Sequence, residues 1–351
     1  MKIYKYPSVD QWADIVVRPH IDTTKLNDVV KSVLDDIRAN GDEAVKRYEQ
    51  KFDGVALQSL AVTQQEIDEA CASVDPELIS AIELAHDNIF KFHASQKFEG
   101  VKVETAPGVD CWQKCVAIEK VGLYIPGGTA PLFSTVLMLA TPAKIAGCKQ
   151  IVLCTPPDKL GKVNAAILAA AKVAGVNAIY KIGGVQAIAA MAYGTASVPK
   201  VYKIFGPGNQ YVMAAKQHVS LQDVAIDMPA GPSEVCVIAD ANSNPMYVAA
   251  DLLSQAEHGV DSQVVLISTS ADMVEKVRVE LDRQLTLLPR RDIAAKTLDN
   301  SKIVLVHDTD EAMQLSNAYA PEHLIIATDD YHKLADKVAE KNKCKTIVKE
   351  L

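Results

Sequence analysis

Two short segments place an acidic residue directly before a histidine, in a chain of 351 residues that contains only 8 histidines. The first is Gln255-Ala256-Glu257-His258-Gly259, and the second is Ala320-Pro321-Glu322-His323-Leu324. A carboxylate and an imidazole can each move a proton near neutral pH. An imidazole together with a neutral carbonyl oxygen can also hold a zinc ion. The two segments are therefore interpreted as the two halves of one catalytic site.

The first segment closes an amphipathic stretch that predicts a helix from Met246 to Glu257, stopped by Gly259. Gln255 and His258 stand three positions apart on one face of its last turn, so both side chains can reach one ion. Glu257 points away from that face, which favours a structural acid. A histidine at a helix C-terminus also complements the helix dipole, and this simpler role for His258 stays open.

The second segment marks a change of backbone geometry. Pro321 forces Ala320 out of helical geometry, so Glu322 and His323 emerge at a helix-to-strand junction just before the apolar run 324–326. Adjacent titratable groups in different environments can divide acid and base duties, as the oxidation of an alcohol requires. A solvated turn is the alternative.

The length, composition and charge of the chain indicate its domain number, its kind of ligand and its location. A chain of this length with 49% hydrophobic residues predicts two domains. The net charge of -8 is spread along the sequence without a basic run, which argues against a nucleic acid or an anionic membrane and favours a small solute. The N-terminus lacks the apolar core of a signal sequence and no window approaches a membrane span, so a cytoplasmic location is expected. The 7 cysteines are expected to be reduced thiols.

The first hundred residues predict helices. Apolar residues recur at helical spacing from 26 to 37, with Gly41 as a stop. Thr63 with Glu66, and then Asp75-Pro76, mark two further helix starts. From Val101 the pattern becomes β-branched and alternating, broken at Pro107-Gly108, which predicts a hairpin.

A regular alternation of apolar strands and helical stretches follows, and it is typical of βαβ units with a mostly parallel sheet. The fold class is therefore α/β: two Rossmann-like open parallel-sheet domains with an N-terminal helical segment. We expect residues 1–125 plus 233–351 to form one discontinuous domain around an inserted domain, 126–232, with hinge strands at 126–128 and 229–232. The predicted strands are 121–125, 150–154, 178–182, 201–205, 235–238, 263–267, 303–306 and 323–327.

Three glycine turns close predicted strands just before helices: Gly127-Gly128, Gly183-Gly184 and Gly206-Pro207-Gly208. Free backbone N–H groups and the helix dipole favour an anion at such places, so these loops could cradle a pyrophosphate. Glycine is also what a tight turn requires. The dinucleotide fingerprint G-x-G-x-x-G is absent, because no third glycine follows Gly208, and the pattern alone does not establish a nicotinamide cofactor.

Longer motifs around these residues resemble the histidinol dehydrogenase family. The resemblance runs from near residue 1 to about 340 in one order. The motifs that carry it are VGLYIPGG at 121–128, FGPGN at 205–209, DMPAGPSEV at 227–235, DLLSQAEHG at 251–259 and YAPEHL at 319–324. The family resemblance implies a zinc-dependent homodimer that oxidises L-histidinol to L-histidine through the aldehyde, with two NAD+ and one water, in histidine biosynthesis.

The resemblance also implies a role for individual residues. His323 would be the general base that takes the alcohol proton, and Glu322 would activate the water that attacks the aldehyde. Gln255 and His258 would be zinc ligands that also touch the substrate, and Ser233 and His323 would bind the substrate. The positions that match those holding NAD in the family are Tyr124, Gln186 and Asn209.

The chain departs from the family pattern at its end. Family members continue past the point where this sequence stops, with further zinc ligands and a substrate-binding Glu, whereas the segment Asn342–Leu351 matches nothing in the family. Neither Cys344 nor His332 lies in a family motif that would make it a substitute ligand. The expectation from sequence is weak zinc binding, slow turnover and a weakened dimer.

Two hypotheses from other classes stay open. One is a non-catalytic two-lobed module that binds histidinol or NAD. The other is a thiol-based aldehyde dehydrogenase that uses Cys115 or Cys154, although neither cysteine has a neighbouring histidine in the sequence.

Overall fold

The computed structural model describes residues 1–18, 24–127, 131–228, 233–339 and 346–348. The chain forms two compact units, Met1–Ile21 with Ala230–Leu351 and Asp22–Pro229. Each unit contains an open sheet whose strands are all parallel, with helices packed on it. The predicted α/β fold class with two Rossmann-like sheets is confirmed.

Helices and strands alternate along most of the chain. In chain order they are β1 (Lys2–Lys5), α1 (Val9–Ile15), α2 (Thr24–Tyr48), a π-helical segment (Glu49–Asp53), α3 (Gln64–Ser73), α4 (Pro76–Ala94), β2 (Lys102–Ala106), β3 (Val109–Trp112), β4 (Lys120–Tyr124), α5 (Phe133–Ala146), β5 (Gln150–Thr155), α6 (Ala165–Val173), β6 (Ala178–Lys181), α7 (Gly184–Tyr193), β7 (Lys203–Phe205), α8 (Gln210–Ser220), β8 (Ala225–Ile226), β9 (Glu234–Ala239), α9 (Pro245–Ala256), β10 (Gln263–Ser268), α10 (Ala271–Leu285), α11 (Arg291–Asp299), β11 (Lys302–Leu305), α12 (Thr309–Tyr319), β12 (His323–Ile326), α13 (Tyr331–Ala335) and β13 (Thr346–Val348).

The sheet of the first unit has the strand order β1-β11-β10-β9-β12-β13. Side chains alternate along a strand, so β9 contributes to two cores. Val235 and Val237 pack with α9, α10 and α11 on one face, whereas Cys236 and Ile238 pack with α1 and α12 on the other. Burial on both faces explains why these strands appear in the sequence as continuous apolar runs.

The sheet of the second unit has the order β6-β5-β4-β7-β8. Helices α2, α7 and α8 cover one face, where Tyr124 and Val152 are buried. Helices α4, α5 and α6 cover the other, where Leu123 and Ile151 are buried. An antiparallel hairpin, β2 with β3, precedes the central strand β4.

The division of the chain differs from the expected one. Residues 22–125 belong with the middle segment rather than with residues 233–351: α2 packs on α7, α4 packs on α5, and β4 is the central strand of the second sheet. Helical periodicity shows that a face is buried, but it does not identify which distant element covers that face. Pro126 and Gly127 therefore lie inside a unit, not at a hinge, and the remaining proposed hinge residues, 128 and 229–232, lie outside the described residues.

Most local predictions hold. Thr63 and Glu66 form the capping box of α3, and Asp75 caps α4. Gly41 breaks helical geometry with φ 51° and ψ −132°, but the helix resumes and runs to Tyr48. The strands β1, β8 and β13 were not predicted, because each is short and lacks a distinctive apolar pattern. Within the described ranges, no helix is long and apolar enough to cross a membrane.

Candidate active site

A cavity of about 890 Å³ lies in the second unit, at the carboxyl ends of its parallel strands. Tyr124 ends β4, Gly184 follows β6, and Asn209 follows β7, and all three line the cavity. Gln186 and Gly127 line it as well. The structure thus brings the three residues predicted to hold NAD to one pocket, beside two of the glycine turns. Open α/β sheets bind ligands at this edge.

Tyr124 fixes the turn that opens α7. The Gly184 N–H donates to the Tyr124 hydroxyl at 3.0 Å. Burial raises the pKa of Tyr124 above its usual value, so the phenol stays neutral. Asn209 is the N-cap of α8, and its Oδ1 accepts from the N–H groups of Tyr211 and Val212 at 3.0 and 3.1 Å. The Asn209 oxygen is therefore engaged in capping, which leaves its Nδ2 for a ligand.

Gln186 is held by two carboxyl groups that the sequence did not indicate. Its Nε2 donates to Glu49 Oε1 at 2.8 Å and to Asp53 Oδ2 at 3.1 Å. Its Oε1 is buried and has no hydrogen-bond partner among the residues that the structure describes. Glu49 and Asp53 lie more than a hundred residues from Gln186 in sequence and outside every motif, so no local signal could have found them.

The turn before α8 is fixed by a buried ion pair. Lys216 donates to the Gly206 carbonyl oxygen at 2.7 Å and also to Asp227. Asp227 Oδ2 in turn accepts from the Gly206 N–H at 2.9 Å. Gly206 has φ 129°, and a Cβ there would stand 2.1 Å from the Tyr124 carbonyl oxygen. Only glycine allows this approach of the two chain segments.

These residues fit a dinucleotide. The cavity has the size of a cofactor site. The N-termini of α7 and α8 stand at its rim and favour a pyrophosphate, and Lys162 also lines it. The buried Gln186 Oε1 is an acceptor that an amide or hydroxyl group of the ligand would satisfy.

In the first unit, His323 is the first residue of β12 and is held by the neighbouring strand. Its Nδ1 lies 3.1 Å from the Glu234 carbonyl oxygen. A carbonyl only accepts, so Nδ1 carries the proton and Nε2 is the free, basic nitrogen. The Glu322 carboxylate is largely buried, with Oε2 3.8 Å from His323 Nδ1. This arrangement suits a carboxylate and an imidazole that transfer separate protons.

An arginine holds the backbone that leads into this pair. Arg18 Nε and Nη2 donate to the two Glu234 carboxylate oxygens at 2.5 and 3.0 Å. Nη2 also donates to the carbonyl oxygens of Tyr319 and Ala320 at 2.6 and 3.1 Å. Ala320 is left-handed, with φ 48°, a strained conformation for a residue with a Cβ. Arg18 lies outside every motif and 216 residues from Glu234, so the sequence did not indicate it.

Gln255 and His258 lie at the end of α9, with one difference from the prediction. The helix ends at Ala256 with Glu257 as its C-cap, so His258 stands in the turn that follows the helix. Desolvation lowers the pKa of His258, and the charges of His323 and Glu322 act on the same pKa. The two sequence segments therefore meet in one unit, and the lowered pKa favours the neutral imidazole that a metal ligand requires.

Ser233 directly precedes β9, and the Gln263 N–H donates to its carbonyl oxygen at 3.1 Å. Since β9 and β12 are parallel neighbours, with His323 opposite Val235, Ser233 and His323 stand at the amino ends of their strands. The pocket in the second unit, by contrast, lies at the carboxyl ends of its strands. The rule that ligands bind at the carboxyl ends of parallel strands would therefore not have located Ser233 and His323.

Gln255 and His258 fit two positions of a zinc site. Gln255 Oε1 is buried and, within the described ranges, has no hydrogen-bond partner, and a cation would satisfy it. Those ranges contain no group of three or more His, Cys, Asp or Glu side chains able to hold a metal. His332 lies on α13, and Cys344 lies outside the described residues.

The thiol alternative finds no support. Cys154 is fully buried, and burial raises the pKa of its thiol, which disfavours the thiolate. Cys115 is exposed and is not among the described residues that line the cavity. Neither cysteine is placed as an activated nucleophile.

The fold and these residues define a two-unit α/β enzyme with a dinucleotide-sized pocket and a carboxylate–imidazole pair. A family model described as histidinol dehydrogenase matches residues 16–344. The histidinol dehydrogenase of Bacteroides thetaiotaomicron is 65% identical over 338 residues, 96% of this chain and 79% of the relative. The histidinol dehydrogenase of Escherichia coli is 49% identical over 334 residues, which cover 94% of this chain and 76% of the relative.

A solved structure of the same family is also similar to this chain. The crystal structure of histidinol dehydrogenase from Elizabethkingia anophelis has a TM-score of 0.96 and 48% identity, covering 99% of this chain and 80% of that one. The chain belongs to the histidinol dehydrogenase family. It is accordingly an oxidoreductase, with the family's place in histidine biosynthesis.

Proposed function

We propose that this chain oxidises L-histidinol to L-histidine through the aldehyde, using two NAD+ and one water. The observation that carries the proposal is the hydrogen bond from His323 Nδ1 to the Glu234 carbonyl oxygen, which leaves Nε2 as the base, in a side chain whose Nδ1 lies 3.8 Å from the Glu322 carboxylate. A fixed tautomer next to a second proton carrier suits a reaction in which alcohol and water are deprotonated in turn.

His323 takes the first proton. Its Nε2 accepts the hydroxyl proton of the alcohol as the carbon loses a hydride, and the Glu234 carbonyl then stabilises the imidazolium through Nδ1–H. Bound NAD+ supplies the acceptor for that hydride. One hydride and one proton leave together, so the alcohol becomes an aldehyde.

Glu322 serves the second half of the reaction. Its carboxylate accepts a proton from the water that adds to the aldehyde carbon, and the hydrate then loses a second hydride and proton to give the carboxylic acid. The low exposure of the Glu322 side chain, 15%, keeps bulk water from competing for the carboxylate.

Gln255 Oε1 and the neutral His258 imidazole are the proposed zinc ligands, and with Ser233 they also contact the substrate. Gln255 and His258 would hold the zinc, which when bound would supply a Lewis acid that helps to orient the substrate. The unpartnered, buried Gln255 oxygen supports this assignment.

The proposed NAD contacts are the Tyr124 hydroxyl, the Gln186 Oε1 and the Asn209 Nδ2. Tyr124 and Gln186 border the Gly183-Gly184 turn, whereas Asn209 caps α8. Their common placement around one cavity supports a single bound dinucleotide.

The test separates the two oxidations. In the zinc-supplemented enzyme, Glu322→Gln should still oxidise histidinol to the aldehyde but lose most of the second step, so the yield falls from two NADH per histidinol toward one. His323→Asn should lower both steps by roughly 100-fold or more. His332→Asn, in the same unit, is the matched control and should behave as wild type.

Two outcomes would count against the assignment. An unchanged NADH yield in Glu322→Gln would remove its role in water activation. Calorimetric binding of histidinol and NAD+ without any NADH would favour the non-catalytic binding module.

We also propose a homodimer and a cytoplasmic location. The second unit exposes large apolar side chains on α4 and around the hairpin, among them Phe92 at 62% and Trp112 at 65%. Such a surface is typical of one that a partner covers. The cysteines in the described part of the chain are all free thiols, as expected in a reducing compartment. Sedimentation should find a dimer that Trp112→Glu weakens, and a monomeric wild type would overturn the dimer.

A further inference from the structure

Two carboxyl groups lie next to Gln186 in the proposed NAD pocket, one buried behind the wall and one in the wall itself. Both come from the π-helical segment Glu49–Asp53 that directly follows α2, and such segments are frequent at functional sites. Glu49 is 0% exposed, and Asp53 lines the cavity itself. Burying a carboxylate without a cation partner costs free energy, and the group avoids that cost when it holds a proton.

The two acids together determine how Gln186 is oriented. Gln186 Nε2 carries two hydrogens, and the contacts direct one to Glu49 Oε1 at 2.8 Å and the other to Asp53 Oδ2 at 3.1 Å. A flipped carboxamide would place its oxygen against two acceptors. Glu49 Oε1 also accepts from the Gly183 N–H at 3.0 Å, so the same atom fixes the turn that opens α7.

The remaining oxygen of Glu49 indicates a proton. Glu49 Oε2 is buried and accepts no hydrogen bond from the described residues, although the Glu49 and Asp53 carboxyls lie within hydrogen-bonding reach of each other. Two adjacent carboxylates repel, whereas a protonated Glu49 carboxyl would donate to Asp53. Burial and the charge of Asp53 raise the pKa of Glu49 to about 7.

Among the described residues, no lysine, arginine or histidine forms an ion pair with Glu49 or Asp53, although Lys162 lines the same cavity as Asp53. The titratable groups whose charges act on this pair from the packed strands are Tyr124 on β4 and Cys154 on β5. Burial raises the pKa of both, so both stay neutral. The pair therefore carries one negative charge when it shares a proton and two when it does not.

We propose that Glu49 and Asp53 share one proton and act as positioning residues, holding Gln186 with its carbonyl oxygen free for the bound dinucleotide. The inference rests on the proposed NAD site. Loss of the shared proton would place a second negative charge beside an anionic ligand and remove the Glu49–Asp53 hydrogen bond. Dinucleotide affinity should therefore fall as the pH rises through about 7.

The test uses NADH fluorescence to measure the dissociation constant of the full chain between about pH 6 and pH 8. Wild type should weaken by about fivefold over this range. Glu49→Gln, whose amide reproduces the protonated acid, should keep the affinity seen at low pH and lose the pH dependence. Glu49→Leu should bind about tenfold more weakly at low pH. Glu43→Gln, an exposed acid on α2, is the control and should match wild type.

A second measurement separates this inference from the proposed function. Infrared spectra should contain one protonated-carboxyl band that disappears as the pH rises through about 7 and that Glu49→Gln lacks, whether or not a ligand binds. Equal affinity of Glu49→Leu and wild type, or absence of that band, would overturn the shared-proton pair. A wild type that shows the band but binds no NADH would overturn the NAD site, and with it the positioning role.

Discussion

Replacing Arg18 by Met should strongly destabilise the first unit. The change removes the cation from Glu234, whose side chain is 1% exposed, and removes the donor to two main-chain carbonyl groups. Breaking one side of a buried ion pair costs about 3 to 5 kcal/mol, because the other charge stays buried without a partner. Arg18 is itself 29% exposed, so solvent screening places the expected loss near the lower end, about 3 kcal/mol.

The double variant Arg18→Met/Glu234→Leu provides the sharpest check of this magnitude. It removes both charges, so most of the lost free energy of unfolding should return, to within about 1 to 2 kcal/mol of wild type. Arg283→Met breaks an exposed ion pair with Glu280 in the same unit and should leave the free energy of unfolding close to that of wild type, because solvent screens this pair.

Urea unfolding can follow this unit alone. The chain has 2 tryptophans, and Trp12 is buried in the core of the first unit. In a Trp112→Phe background, its fluorescence reports the free energy of unfolding of that unit. An Arg18→Met variant within about 1 kcal/mol of wild type would refute the reasoning, as would a double variant no more stable than the single one.

Three further outcomes follow from the two sites. The pKa of Glu49 is about 7 in the folded chain against about 4.5 in the unfolded chain, so the folded state holds the Glu49 proton more tightly. The resulting stabilisation is complete below about pH 4.5 and is lost as the pH rises through about 7. The difference corresponds to about 3 kcal/mol, which pH-dependent melting of wild type against Glu49→Gln should reveal. Gly206→Ala should weaken NADH binding and lower the melting temperature, because its Cβ would stand 2.1 Å from the Tyr124 carbonyl oxygen; equal melting curves would contradict this. Gln255→Leu should bind zinc about tenfold more weakly by metal analysis after dialysis, with unchanged NADH affinity as the control.

Local sequence signals predicted the elements well. The capping box at Thr63 and the proline after Asp75 act over three residues or fewer, so they can be recognised without the fold. Strands buried on both faces left apolar runs that located β4, β5 and β9 within about a residue or two. The error over residues 22–125 has the opposite origin, because the helices there pack on strands that come later in the chain.

The sequence by itself determined the chemistry that each site contains: the acid–imidazole pair at 322–323, the ligand pair around 255–258 and the glycine turns of the pocket. Only the tertiary structure decided how these groups are held. Arg18 reaches Glu234 across 216 positions, and Glu49 reaches Gln186 across 137. Such partners share no periodicity or spacing with the groups they orient. Their pairing arises because the folded sheets bring them within hydrogen-bonding distance, where burial makes each contact strong.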